Sequence, residues 1–144
     1  MPITRITAQE AHDQMEEGVP YVDIRTSMEF EGGHPEGAYH IPFGIHDPAS
    51  MMMVFNEAFL DVIEAHFDKE APILIACQAG GRSARAALLL EQKGYTNIMD
   101  VGPGWGGGRN AMGMPEPGWY ACGLPANTGN GGERSYANLK KGIE

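Results

Sequence analysis

Cysteine is scarce in this chain. Cys77 and Cys122 are the only two in 144 residues, too few for a disulfide framework. Positive charge is scarce as well: ten Lys and Arg against nineteen Asp and Glu leave a net charge of −9, which argues against nucleic acid or an anionic membrane as the main partner. No apolar run approaches the length of a bilayer span. The start, Met1-Pro2-Ile3-Thr4-Arg5, has no basic segment leading into an apolar one, so no signal peptide is expected and the cytoplasm is the expected compartment. The five histidines, at positions 12, 34, 40, 46 and 66, show no ligand spacing with cysteine or carboxylate, so neither a metal site nor a cofactor is expected. Met51-Met52-Met53 offers thioethers that suit copper(I), but adjacent methionines on a helix point different ways, and core or interface filling is the reading adopted. What is present, 42% hydrophobic and 20% charged residues, is the composition of one globular domain large enough for a real core.

One stretch organises the rest. The apolar run Ile73-Leu74-Ile75-Ala76 ends at Cys77-Gln78-Ala79-Gly80-Gly81-Arg82-Ser83, and a helical pattern, Ala84 to Leu90, follows. A buried strand that ends at a cysteine, turns through small residues and enters a helix brings a thiol to a helix N-terminus. Unpaired N–H groups and the positive end of the helix dipole stabilise an anion there, and a thiolate is an anion. Ala79, Gly80 and Gly81 carry so little bulk that several N–H groups can turn inward as a cradle.

Elsewhere the chain alternates helix and strand. Thr7-Ala8-Gln9-Glu10 has capping-box spacing and predicts a helix from Ala8 to about Glu17, closed by Gly18. Tyr21 to Ile24 reads as a strand, and Ser27 as the cap of a brief helix through Phe30, ended by Gly32-Gly33. Tyr39 to Ile41 is a further strand, stopped by Pro42. Phe59, Leu60, Val62, Ile63 and Phe67 predict a helix from Asn56 to Phe67. A helix from Ser83 to Lys93, closed by Gly94, and a last strand from Asn97 to Val101 complete the pattern, which suits a parallel sheet covered on both faces. The glycines and prolines of Gly102 to Pro117 exclude a regular element. The tail from Ala126 to Glu144 is polar, with a short helix expected within Ser135 to Lys141 and no function assigned.

Cys77-x-x-Gly80-x-Arg82-Ser83 resembles the active-site loop of rhodanese-type sulfurtransferases. Asp23-Ile24-Arg25, Glu29-Phe30 and Gly33-His34-Pro35-Glu36-Gly37-Ala38-Tyr39-His40-Ile41-Pro42 are similar to the upstream signature of that family, with Pro35 at a usually aliphatic position. Gly118-Trp119-Tyr120-Ala121-Cys122-Gly123-Leu124-Pro125 resembles its tryptophan-bearing helical ending, so the likeness spans about Thr4 to Leu124. The resemblance implies an α/β fold of the rhodanese kind: a five-stranded parallel sheet flanked by helices on both faces, with the cysteine loop at the carboxyl ends of the strands. Residues 1–144 would form a single such domain, with its core at about 4–125, an expanded loop at 102–117 and the polar tail at 126–144. The loop leaves the last strand on the side of the cysteine loop, and two forms are expected for it: a lid in which Trp105, Met112 and Met114 touch substrate, or a mobile insertion.

The function so implied is transfer of a sulfane sulfur from thiosulfate or a persulfide donor to a thiol, cyanide or protein acceptor, through a persulfide on Cys77. Cys77 is then the nucleophile. Arg82 supplies positive charge and braces the loop through a carboxylate or its carbonyls. The N–H groups from Gln78, Ala79, Gly80 and Gly81 to Ser83 hold the terminal sulfur, and Arg85 attracts an anionic donor. Asp23 and Arg25 form a supporting ion pair. Cys122, beside Trp119 and Tyr120, is expected to be packed and inert, with a resolving-thiol role as the alternative. Two other classes stay open: a cysteine-dependent phosphatase or arsenate reductase of related fold, and a non-catalytic rhodanese-like binding module. Four residues separate Cys77 from Arg82, one fewer than in those phosphatases, and the shorter loop suits a single sulfur better than a tetrahedral phosphoryl group.

Overall fold

The computed structural model describes residues 3–143; the Met1-Pro2 start, where no leader was read, and Glu144 at the end of the tail lie outside them. β1 (Ile3–Ile6) leads through α1 (Ala8–Glu16) to β2 (Tyr21–Asp23), and α2 (Ser27–Gly32) with the short β3 (His34–Pro35) leads to β4 (Tyr39–His40). A hairpin of β5 (Gly44–Asp47) and β6 (Met52–Phe55) precedes α3 (Phe59–His66), β7 (Ile73–Ala76), α4 (Gly81–Gln92) and β8 (Ile98–Val101). Then come β9 (Gly108–Arg109), β10 (Pro115–Glu116), β11 (Ala126–Asn127), a 3-10 turn at Gly132–Arg134 and α5 (Tyr136–Leu139).

Five strands form one parallel sheet in the order β1-β8-β7-β2-β4. β7 is buried along its whole length, because its residues alternate between two covered faces. Ile73, Ile75 and Cys77 join α3 and α4 through Val62, Ile63, Ala86 and Leu90. Leu74 and Ala76 join α1, α2 and Trp119 on the opposite face. The chain passes from β2 outward to β4, and from β7 outward the other way to β8. The topological switch point therefore lies between β2 and β7, where open α/β sheets hold their ligands.

Local chemistry sets most element ends. Thr7 and Glu10 form the expected capping box of α1. In α2 the cap is Thr26 rather than Ser27: Thr26 Oγ1 accepts from Glu29 N–H while Glu29 Oε1 accepts from Thr26 N–H. The box needs an acidic residue three positions on, and only Thr26 has one. α3 starts at Phe59, three residues later than expected, because Asn56 folds back as a turn, accepting from Ala58 N–H and donating to the Pro42 carbonyl. α4 starts at Gly81, two residues early, since Gly80 at φ +104 turns the backbone into the helix and sets Ser83 in its first turn.

Several expectations fail. Met51–Met53 are neither helical nor core: they border or lie in β6 and are 71%, 66% and 54% exposed, because Asp47 caps the turn at Ala49 and Ser50 and folds the segment back as a hairpin. Residues 102–117 contain the antiparallel β9–β10 pair. Trp119 is buried, its Nε1 donating to the Pro125 carbonyl at 2.8 Å, but residues 119–123 form turns, not the expected helix. The tail is part of the packing: β11 pairs with β3, Leu139 is buried in the α3–α4 core, and Arg134 donates to the Gly37 carbonyl while its guanidinium stacks over Tyr39.

Leu139→Ala tests that integration. A buried leucine predicts a loss of about 2–3 kcal/mol on truncation, read from urea denaturation. A solvated tail would leave the midpoint unchanged.

Candidate active site

Cys77 lies at the carboxyl end of β7, at the switch point, and is 2% exposed. Its Sγ accepts N–H donors from Gly80 at 3.1 Å and Ser83 at 3.3 Å, the second belonging to the first turn of α4. Four further N–H groups, of Gln78, Ala79, Gly81 and Arg82, find no acceptor among the described residues. Donors on the sulfur and free donors around it are an arrangement that can stabilise negative charge.

The carbonyls explain the cradle. Cys77 O accepts from Trp105 N–H and Gln78 O from Gly106 N–H, both at 2.9 Å. In a trans peptide the C=O and the following N–H point in opposite directions. Fixing these two carbonyls against residues 105–106 therefore turns the N–H groups of Gln78 and Ala79 the other way. Such close docking needs glycine. A Cβ on Gly104, at φ +60, would sit 2.2 Å from Cys77 O, and one on Gly80 would sit 2.5 Å from Gly102 O. The insertion is thus a strap on the cysteine loop. Trp105 is half-buried, its ring 5.1 Å from the Arg25 guanidinium, whereas Met112 and Met114 are 86% and 59% exposed in the β9–β10 turn.

Asp23 and Arg25, from the end of β2, form a fully buried ion pair at 2.8 Å. Arg25 also donates to the Gly33 carbonyl at 2.6 Å and to Gln78 Oε1 at 3.2 Å, so the Gln78 side chain is drawn away from the cradle and only its N–H can serve it. The ring of Phe30 is stacked between His34 at 3.8 Å and His40 at 4.3 Å. His40 Nε2 donates to the Arg25 carbonyl at 2.8 Å, and burial holds its pKa below the usual histidine value, consistent with a neutral ring. The upstream motif thus folds its own histidines and phenylalanine around the Arg25 turn.

Arg82 makes a two-pronged ion pair with Glu29 of α2, at 2.7 and 3.0 Å. That hydrogen bonding draws Glu29 down to a pKa of about 2 and raises Arg82. Arg85 is exposed, with no hydrogen bond or ion pair to the described residues, one turn beyond the cradle. Cys122 is exposed beside an exposed Tyr120, because of that aromatic pair only Trp119 turns inward. Two residues of the site carried no role in the sequence reading. Glu29 was quoted only as part of a motif, although its capping-box spacing was legible. Asp100, a carboxylate within the last strand, accepts from Ser83 Oγ at 2.8 Å.

Two measurements probe this geometry. Gly104→Ala should cost roughly 1–3 kcal/mol in stability and slow alkylation of Cys77, since the strap must lift from the loop; an unchanged melting point and alkylation rate would mean that the strap does not set the cradle. Glu29 has its proton affinity lowered on folding, so its contribution is complete above pH 4.5 and is lost as the pH falls towards about 2. Glu29→Gln should therefore flatten the stability slope across that window in denaturation series.

The model of the rhodanese-like domain family matches residues 7–111. The thiosulfate sulfurtransferase GlpE of Haemophilus influenzae is 34% identical over 128 residues, covering 89% of this chain and 98% of that protein. The chloroplastic thiosulfate sulfurtransferase 16 of Arabidopsis thaliana is 36% identical over 95 residues, covering 66% of this chain and 78% of that protein. The crystal structure of Rv0390 from M. tuberculosis shares the fold, with a TM-score of 0.70 at 24% identity over 88% of this chain and 98% of that one. A cysteine loop at the switch point of this sheet, together with a family match across most of its length, makes the chain a member of the rhodanese family.

Proposed function

We propose that this rhodanese-type sulfurtransferase moves a sulfane sulfur through a persulfide on Cys77. The observation that carries the reading is the sulfur itself: Cys77 Sγ already accepts two N–H donors, and four more N–H groups of the same loop find no acceptor among the described residues. In thiolate form Sγ attacks the sulfane sulfur of the donor. With thiosulfate the S–S bond breaks and sulfite leaves with its electron pair. The product, Cys77–S–S⁻, is an anion with one atom beyond Sγ, and the N–H groups between Gln78 and Arg82 are the donors that would hold it. A nucleophilic acceptor, a thiolate or cyanide or a protein thiol, then takes the terminal sulfur, and the electron pair of the S–S bond returns to Sγ.

Arg82 contributes in two ways under this reading. Its charge lies near the sulfur, and its fork to Glu29 ties the cysteine loop to α2. Asp23 and Arg25 act as support, since the Arg25 side chain is spent on Asp23, Gly33 and Gln78. Arg85 stays a candidate only for attracting an anionic donor at a distance. The names of the relatives make thiosulfate the first donor to try, and the small uncharged side chains of Ala79, Gly80 and Gly81 are compatible with bulkier persulfide donors.

Intact-mass and peptide mass spectrometry after thiosulfate treatment should find one added sulfur atom on Cys77, none on Cys122, and its removal by cyanide. Cys77→Ser should fold as the wild type does and lose both sulfur uptake and turnover. Uptake on Cys122, a Cys77–Cys122 disulfide, or turnover surviving in Cys77→Ser would each overturn the reading.

A further inference from the structure

Asp100 is a carboxylate in a core-facing position. Alternation along β8 sends it to the same side as Ile98, beneath α4, and it is 8% exposed. Its Oδ1 accepts from Ser83 Oγ at 2.8 Å, and Ser83 Oγ lies 3.6 Å from Cys77 Sγ. A hydroxyl has one proton to donate and lone pairs with which to accept. Donated to Asp100, that proton leaves Ser83 Oγ able to accept the thiol hydrogen of Cys77. The other acceptor within reach, the Gly80 carbonyl at 3.2 Å, is farther away and uncharged. Burial raises the Asp100 carboxyl above its ordinary range, with the Ser83 hydrogen bond and Arg5 pulling it back, a direction that favours its taking up a proton.

We propose that Ser83 and Asp100 form a proton relay that takes the thiol proton of Cys77 before sulfur loading and returns it after transfer. The inference rests on the reading of Cys77 as the sulfur carrier. In the outward step the Cys77 S–H bond breaks and sulfur keeps the electron pair. The proton bonds to Ser83 Oγ, while the proton that Ser83 held bonds to Asp100. Nothing is oxidised or reduced, and the site keeps its net charge. When the acceptor has removed the sulfane sulfur and the electron pair has returned to Sγ, the two protons move back in the reverse order. Asp100 acts through Ser83 and is a positioning residue.

The charges around the relay come from every neighbouring element. Arg5 of β1 is the register partner of Asp100 and is paired with Glu116 of β10. Arg82 of α4, paired with Glu29 of α2, and Tyr21 of β2 both interact electrostatically with Cys77, and the Asp23–Arg25 pair lies at the end of β2. All of these are common to the variants compared below.

The test follows alkylation of Cys77 by iodoacetamide across pH, read at the Cys77 peptide, and the rate of sulfur loading from thiosulfate. Wild type is compared with Asp100→Asn, Ser83→Ala and the double variant, with melting curves to confirm folding. Asparagine keeps the shape and the acceptor for Ser83 but cannot store the proton. A shared proton predicts a two-step alkylation profile in wild type and a single step in each variant. Sulfur loading should fall about tenfold in each single variant and no further in the double one. Wild-type and Asp100→Asn profiles of the same shape, or losses that multiply in the double variant, would overturn the relay. Should Asp100→Asn fail to fold, the Ser83→Ala profile makes the same comparison. A wild type that shows the two-step profile yet takes up no sulfur would uphold the relay and overturn the sulfur-transfer reading instead.

Discussion

The buried ion pair between Asp23 and Arg25 is the joint on which the candidate site depends. Arg25 follows the end of β2 and meets four partners: the Asp23 carboxylate, the Gly33 carbonyl, the Gln78 side chain of the cysteine loop, and the ring of Trp105 in the strap. A guanidinium suits this position because its donors lie in one plane and point in several fixed directions. With both side chains 2% exposed, neither charge has water to fall back on. Removing one partner from such a pair typically costs about 3–5 kcal/mol, because the other is left charged and buried. The pair is therefore poor evidence of net stability but good evidence of fixed geometry.

Around that joint, the loop that holds Cys77 is organised by hydrogen bonds to its carbonyls. The strap occupies the oxygens of Cys77 and Gln78, and the inward N–H groups follow from peptide planarity. This gives an acidic protein a local site for anions. The net charge of −9 disfavours an anionic donor at long range, but exposed charges are screened beyond about 8 Å at physiological salt. Within the pocket the sulfur meets N–H dipoles and the first turn of α4. Net charge therefore speaks to the partners of the whole surface and says little about what one helix N-terminus can hold.

Two segments outside the main sheet, the insertion and the tail, are held by specific contacts. Residues 102–117 are rich in glycine because Gly104 and its neighbours pack directly against another backbone, where a side chain has no room. The tail from Ala126 is polar in sequence, yet a strand pairing, a buried leucine and an arginine stacked on Tyr39 tie it to the rest of the fold.

The amino-acid sequence by itself determined the parts governed by short-range rules. The strand at Ile73–Ala76, the capping box at Thr7 and Glu10, the cysteine-to-arginine loop and the upstream motif were legible because periodicity, capping and turn chemistry act over a few residues. The parallel sheet and its two covered faces followed from the alternation of such elements. Tertiary structure alone decided which distant groups meet. That Glu29 clamps Arg82, that Arg5 lies beside Asp100, and that Trp105 and Gly106 hold the carbonyls of Cys77 and Gln78 depend on strand order and on contacts between residues far apart in the chain. Composition misled where burial rather than residue type was the deciding quantity: three methionines became part of an exposed hairpin, and a cysteine shortly after two aromatics became a surface thiol. Hydrophobicity states what a side chain would gain by being covered, and only the packed chain supplies or withholds the cover.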